Sequence, residues 1–226
     1  MNGKSAVNRH MASPNFDAQP VSVEFLVLHY SAAGLEETLR IFKDPQRKVS
    51  AHLVIGAEGE VFETVKCWDG IAQRAWHAGE SRLELCGRVW EGFNDFSLGI
   101  ELVNFNGNLL SYTPRQYQAL FSVLAHLQGL YPALRDAQRV VGHEQIAGHR
   151  GKCDPGWCFE WETFFKTAFP GQAVPERLPR LNEDIRNALE KLAGLFSPQE
   201  RASDRMWSAL SNLVEKALAP RISAQS

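Results

Sequence analysis

Residues 23–30 read Val-Glu-Phe-Leu-Val-Leu-His-Tyr, a short apolar run that is dense in strand-forming residues. This composition predicts an interior β-strand that carries His29 near its carboxyl end, just before the sequence Ser-Ala-Ala-Gly. A second apolar run, residues 139–142, stops in the same way at His143. The chain therefore contains two predicted strands that each end in a histidine.

Further strands and helices are predicted around these two runs. Residues 98–103 form another short apolar run that carries one acid, Glu101, and residues 50–55 and 61–65 flank a Gly-Ala-Glu-Gly turn typical of a hairpin. Helical spacing of apolar residues begins at Leu35, and Thr113-Pro-Arg-Gln has the form of a capped helix start. Because short strands alternate with helices, we expect an α/β fold in which helices cover the sheet.

The remaining sequence suggests how the chain is divided. The segment before Val23 is polar and irregular, residues 74–79 look like a loop, and residues 169–180 are rich in proline and charge, as linkers are. Two amphipathic helices with capping signals follow. The predicted divisions are a flexible segment 1–21, a main domain 22–168, a linker 169–180, a helical hairpin 181–219 and a tail 220–226.

Composition narrows the class of protein. The 226 residues include 24 basic and 26 acidic side chains, a formal net charge of -2, so no large basic field is present for nucleic acid. No apolar run has the length of a signal peptide core or a bilayer span, which predicts no membrane partner and a cytoplasmic location. Release by phage-type lysis or by non-classical export stays open.

The four cysteines, Cys67, Cys86, Cys153 and Cys158, are scattered without a C-x-x-C pair. Free thiols are therefore expected. Cys153 and Cys158 lie in and just after the segment that is richest in metal ligands, so ligation by a thiolate is the competing interpretation.

That segment, residues 140–156, contains His143, Lys152 and Asp154. Histidine and carboxylate ligands suit zinc, and a catalytic zinc generally takes three protein ligands and leaves one position for water. If His29 and His143 close neighbouring strands, Asp154 can fold back as the third ligand. The pattern alone leaves open that the histidines are unrelated and only form hydrogen bonds.

Several motifs occur together and in order along the chain: His29 at a strand end, Ser-Ala-His52, Arg-Ala-Trp76-His77-Ala-Gly, Asn94-Asp-Phe-Ser-Leu-Gly-Ile-Glu101-Leu, Val-Gly-His143 and Lys152-x-Asp154-Pro-Gly. Over about residues 22–168 the chain thereby resembles the zinc-dependent N-acetylmuramoyl-L-alanine amidases of the type 2 amidase family, close to the AmpD branch. The resemblance implies a central mixed β-sheet flanked by helices, the type 2 amidase or peptidoglycan-recognition-like fold, with the predicted C-terminal helical hairpin appended.

The resemblance also implies a site and a reaction. One zinc ion per chain would be held by His29, His143 and Asp154. The enzyme would hydrolyse the amide between the lactyl group of N-acetylmuramic acid and L-alanine of the stem peptide. Glu101 would act as general base and Lys152 would stabilise the oxyanion. Substrate contacts are expected at His52, Trp76, His77 and Asn94.

Each role has a simpler alternative. Glu101 could be an ion-paired strand residue, Lys152 a solvated loop charge and Trp76 a packing residue, and His52 and His77 could serve only as hydrogen-bonding residues. For the whole chain, the alternatives are a non-catalytic muropeptide-recognition module and a structural zinc protein, although a structural site normally has four protein ligands.

The expected partner is therefore peptidoglycan or a muropeptide. Whether the substrate is a soluble anhydro-muropeptide or the intact wall stays open. The C-terminal helices are assigned no chemistry, and we expect them to self-associate or to dock on the main domain.

Overall fold

The computed structural model describes residues 7–8 and 11–175, so the end of the predicted linker, the helical hairpin and the tail lie outside the described residues. A six-stranded sheet forms the centre, in the order β1-β5-β4-β9-β3-β10. Its strands are β1 (Val7–Asn8), β3 (Phe25–Tyr30), β4 (Leu53–Ile55), β5 (Val61–Glu63), β9 (Ser97–Leu102) and β10 (Val140–Gly142). Among the described strands of this sheet, the β4–β5 pair is antiparallel and the other four pairs are parallel. The predicted mixed sheet is confirmed, and so is the β-hairpin predicted around residues 50–65.

The position of strand β3 inside the sheet explains why the sequence before His29 is a continuous apolar run. Phe25 and Val27 face one layer, while Leu26 and Leu28 face the other, and all four side chains are fully buried. A strand that is covered on both faces has no solvent side, so it reads as a continuous apolar run rather than an alternating one.

Helices contribute to both of those covering layers. They are α1 (Leu35–Lys43), α2 (Pro114–Leu130), the short α3 (His143–Ala147) and α4 (Trp161–Ala168). Helix α2 begins with the predicted capping box, in which the Thr113 hydroxyl accepts from the Gln116 amide and the Gln116 side chain accepts from the Thr113 amide. In the described part of the chain, no helix is both long enough and apolar enough to cross a bilayer.

Helices α2 and α4 pack on the same face of the sheet. Their apolar side chains, such as Leu120 and Phe164, join the large cluster around Leu26 and Leu28. Helix α1 contributes Leu39 to a smaller separate cluster. The predicted arrangement of a sheet flanked by helices is confirmed.

Two small antiparallel ribbons lie beside the central sheet, and the sequence patterns missed both. One pairs β2 (Phe16–Val21) with β6 (Ala72–Ala75), and the other pairs β7 (Arg82–Leu85) with β8 (Arg88–Glu91). The prediction of an irregular segment before Val23 is therefore wrong for β1 and β2. The loop predicted at 74–79 begins only after Ala75.

Candidate metal centre

The central sheet places three polar side chains at one edge. Strand β3 lies between β9 and β10 and is parallel to both, with His29 opposite Glu101 and Leu28 opposite Gly142. His143 directly follows Gly142 as the first residue of α3. Because the carboxyl ends of parallel strands meet at the same edge, the imidazoles of His29 and His143 converge. The condition for a shared site, that the two histidines close neighbouring strands, is met.

Asp154 completes a three-residue cluster with these histidines. One carboxylate oxygen, Oδ2, lies 2.9 Å from Nδ1 of His29 and 3.0 Å from Nδ1 of His143. The other oxygen, Oδ1, is buried without a hydrogen-bond partner. The ligand atoms of the three buried residues all lie within 4.8 Å of one another, which fits a bound metal ion.

The other nitrogen of each ligand histidine identifies the atom that is available to a metal. Nε2 of His143 lies 3.2 Å from the carbonyl oxygen of Ala78 and must donate to it, so the lone pair of the neutral ring is on Nδ1. Nε2 of His29 lies 3.0 Å from Nδ1 of His77. In both rings, Nδ1 therefore faces the carboxylate and Nε2 faces the protein, the usual arrangement of a metal-binding histidine.

The protonation of the cluster suits cation binding. Burial, together with the neighbouring His143, lowers the pKa of His29 to about 4, so this imidazole is neutral near neutral pH. Burial opposes ionisation of Asp154, but His143 and His29 outweigh it and hold the pKa of this carboxyl below its ordinary value. The site offers the neutral imidazole of His29 beside the carboxylate of Asp154, and both groups are in the form that binds a divalent metal.

A cleft of about 240 Å³ opens above the cluster, and Glu101 and Lys152 both line it. Burial is the main reason that the pKa of Glu101 rises to about 8; the negative charge of Asp154 raises it further, and the positive charge of Lys152 opposes the rise. A carboxyl group with a pKa close to neutral can both accept and return a proton near neutral pH.

The residues predicted to contact substrate divide into two groups. His77 lines the cleft, whereas the described lining residues do not include His52, Trp76 or Asn94. The indole Nε1 of Trp76 donates to the Asp17 carboxylate at 3.1 Å, and the side chain is half-buried. The Asn94 side-chain oxygen accepts from the backbone amides of His77 and Ala78, at 3.0 and 2.7 Å.

His52 requires a correction. Its side chain is fully buried, its Nε2 donates to the carbonyl oxygen of Gln73 at 2.8 Å, and its Nδ1 accepts from the amide of Gly99 at 2.9 Å. Both ring nitrogens are thus occupied by backbone partners. The prediction of direct substrate contact is wrong for this residue, because the imidazole ties β6 to β9 beneath the site.

The cysteines do not join the metal cluster. All four are thiols that form no disulfide, as predicted. Cys153 is buried, with its sulfur 3.4 Å from the Tyr30 hydroxyl and 3.3 Å from the side-chain nitrogen Nδ2 of Asn108, which donates to it. Among the described residues, the group able to hold a metal consists of His29, His143 and Asp154.

Sequence reasoning assigned no role to Ser97, although it lies within the quoted Asn-Asp-Phe-Ser motif. Its hydroxyl lies 3.2 Å from Nε2 of His77 and 2.5 Å from the carbonyl oxygen of Phe93. The motif marked the position, but only the fold shows that Ser97 stands behind His77.

Comparisons with known proteins agree with this geometry. The family model for N-acetylmuramoyl-L-alanine amidase matches residues 18–157. The chain belongs to this family. It is also 34% identical to the 1,6-anhydro-N-acetylmuramyl-L-alanine amidase AmpD of Enterobacter cloacae, over 72% of this chain and 91% of that protein.

Solved structures of such amidases share the fold. A crystal structure of a selenomethionine derivative of AmpD is 33% identical, with a TM-score of 0.57 over 75% of this chain and 99% of that one. AmiD of E. coli, solved in complex with anhydro-N-acetylmuramic acid-L-Ala-D-γ-Glu-L-Lys, is 22% identical, with a TM-score of 0.56 over 93% and 91% of the two chains. The latter likeness concerns the fold alone.

Proposed function

We propose that this amidase hydrolyses the amide between the lactyl group of N-acetylmuramic acid and L-alanine in peptidoglycan or muropeptides, and that it depends on one zinc ion per chain. The observation that carries the proposal is the convergence of the His29, His143 and Asp154 ligand atoms within 4.8 Å at the base of a cleft. Family membership supplies the bond that is cleaved.

The ligand set supports zinc in particular. Two imidazole nitrogens and one carboxylate oxygen form the three-ligand set typical of catalytic zinc. A zinc ion held there would supply Lewis acidity, polarising the scissile carbonyl and making a water molecule more acidic. His29, His143 and Asp154 would hold the ion where they line the cleft, which gives substrate access.

Glu101 is proposed as the general base. It stands opposite His29 on the adjacent strand and lines the same cleft. Its carboxylate would accept a proton from the attacking water as the oxygen adds to the lactyl carbonyl carbon. The same proton would then pass to the alanine nitrogen as the carbon–nitrogen bond breaks, which leaves a lactyl carboxylate and a free stem peptide.

Lys152 is proposed to stabilise the oxyanion that develops on the carbonyl oxygen. It lies two residues before Asp154, and its side chain lines the cleft. Its influence on the pKa of Glu101 indicates that the two groups are near enough to interact. An ammonium group fixed beside the reacting carbonyl would lower the energy of the transition state relative to the neutral ground state.

The alternative of a non-catalytic recognition module finds less support. Such a module needs neither a set of metal ligands nor a proton-transfer group, and this cleft is lined by the residues that we propose for both roles. The cytoplasmic location and self-association through residues 181–219 remain predictions.

A digest of defined substrates tests the proposal. The purified zinc-loaded protein is incubated with a soluble anhydro-muropeptide, in parallel with whole sacculi, and the products are separated by mass spectrometry. We expect free stem peptide with an N-terminal L-alanine from the soluble substrate, by analogy with the named activity of the 34% identical relative. Release from sacculi alone would reassign the substrate, and release from neither would reject the proposed function.

A further inference from the structure

We propose that His77 is a positioning residue: through a directional hydrogen-bond chain that starts at the Phe93 carbonyl, it fixes His29 with Nδ1 free to bind the metal. This inference rests on the proposed zinc function. It assigns His77 a role toward the metal site rather than the substrate contact expected from the sequence.

The direction of the chain follows from its fixed end. The Phe93 carbonyl oxygen can only accept, so the Ser97 hydroxyl donates its one hydrogen to it, at an O–O distance of 2.5 Å. The Ser97 oxygen must then accept from Nε2 of His77 at 3.2 Å. A neutral imidazole that donates from Nε2 carries its lone pair on Nδ1.

The next link reaches the metal ligand. Nδ1 of His77 lies 3.0 Å from Nε2 of His29, and because Nδ1 is the acceptor, His29 must donate. His29 therefore carries its hydrogen on Nε2, which leaves Nδ1 as a lone pair directed toward Asp154. With the opposite tautomer, a hydrogen would stand on the atom that a metal needs.

The ring of His77 has little freedom to leave this position. Its side chain is buried, and it packs directly on Gly99 of β9, where an added methyl group would lie 2.6 Å from the ring carbon Cγ. Gly99 thus leaves the space that the imidazole fills. The ring is held by packing as well as by its two hydrogen bonds.

The loop after β6, which contains His77, also orients the second ligand histidine, His143. The carbonyl oxygen of Ala78 accepts from Nε2 of His143, and the Asn94 side chain binds the amides of both His77 and Ala78. Two consecutive residues therefore orient the two nitrogen ligands, one through a side chain and the other through the backbone.

A pair of substitutions at residue 77 tests the proposal. His77→Leu fills a similar volume without an acceptor, whereas His77→Asn keeps an oxygen near the position of Nδ1. The Kd for zinc is measured on each metal-free protein by competition with a chromophoric chelator, and thermal unfolding checks that each variant folds. We expect His77→Leu to weaken zinc binding by about 10- to 100-fold, and His77→Asn to restore most of the loss.

Two further variants complete the design. His126→Ala removes a histidine that stacks on Trp68 and bonds to its carbonyl oxygen, so it controls for the loss of an imidazole elsewhere. Ser97→Ala removes the acceptor of Nε2 and should weaken zinc binding less than His77→Leu does. It also keeps the proposal testable if His77→Leu does not fold. Long-range ¹H–¹⁵N NMR correlations should show the hydrogen of His77 on Nε2.

Several results would overturn the inference. One is an unchanged zinc Kd in folded His77→Leu, and another is an equal loss of zinc affinity in His77→Leu and His77→Asn. If His77→Leu does not fold, an unchanged zinc Kd in Ser97→Ala has the same meaning. A hydrogen on Nδ1 of His77 would also overturn the inference. A higher KM with unchanged zinc affinity would make His77 a substrate contact instead. If the wild-type protein itself binds no zinc, the proposed function fails, and that result is distinct from the others.

Discussion

The edge of the central sheet and the two outer ribbons contribute to the site in different ways. At the sheet edge, buried parallel strands deliver His29, Glu101 and His143 directly into one cleft. The β2–β6 and β7–β8 ribbons lead instead into the loop after Ala75 and into the turn that holds Asn94. In the proposed mechanism the sheet edge provides the reacting groups, and the segments that follow the ribbons hold the residues that orient them.

The largest expected effect is at the sheet edge itself. Asp154→Asn keeps the shape of the side chain but removes its charge, so zinc affinity should fall by more than about 100-fold, beyond the loss typical of a residue that only orients a ligand. Hydrolysis should fall with it. Zinc content after dialysis provides the measurement, and Asp95→Asn, in an exposed carboxylate on the ribbon side, is the matched control. A variant that keeps zinc would remove Asp154 from the ligand set.

Glu101→Gln separates proton transfer from metal binding. The amide fills the same space but cannot accept the proton, so we expect kcat to fall by about 100-fold or more while the zinc Kd stays near that of the wild type. Single-turnover kinetics on a muropeptide, with zinc content measured on the same sample, checks both values. A rate close to that of the wild type would assign the base to another group.

The dependence of kcat/KM on pH in the wild-type protein also tests the role of Glu101. The pKa of Glu101 is about 8 without a metal, and a nearby cation lowers it, because positive charge favours the carboxylate. The base must be deprotonated to act, so kcat/KM should decline as the pH falls through this lowered pKa. A flat profile from about pH 5 to pH 8 would argue against a carboxylate base.

The smallest effect is expected at Asn94, which links the turn after β8 to the loop after β6. Asn94→Ala removes the acceptor for two backbone amides, which should cost about 1–3 kcal/mol of stability and weaken zinc binding by less than about tenfold. Asn94→Asp retains an acceptor and should behave nearly like the wild type. If Asn94→Ala lowered zinc affinity as much as Asp154→Asn does, the proposal that the sheet edge binds the metal while the segments after the ribbons only orient the ligands would be rejected.

Sequence reasoning succeeded at the sheet edge for a physical reason. Strand β3 is buried on both faces, so its apolar run is distinct and His29 stands out at its end. The convergence with His143 depended on the two strands being neighbours, which one sequence cannot establish, and the sheet order now shows it. The substrate and the role of Glu101 came from the family resemblance, since one acid on a strand has no distinctive pattern.

The ribbons were missed because their strands are short, polar and partly exposed. The sequence did contain one signal: Arg-Leu-Glu-Leu and Arg-Val-Trp-Glu flank the glycine-containing pair Cys86-Gly87. In the structure, both residues of this pair adopt positive φ, at 52° and 73°. Two left-handed residues between strands are typical of a tight hairpin. By contrast, no local pattern distinguishes buried His52 from His77 beside the metal site, because their difference lies entirely in tertiary contacts.

Removal and return of the metal tests the central claim most directly. The protein is stripped with a chelator, its zinc content and its release of stem peptide from a muropeptide are measured, and zinc is then added back in steps. We predict that the stripped protein is inactive and that activity returns in proportion to zinc, with full recovery at one ion per chain. Undiminished hydrolysis by the metal-free protein would contradict the account.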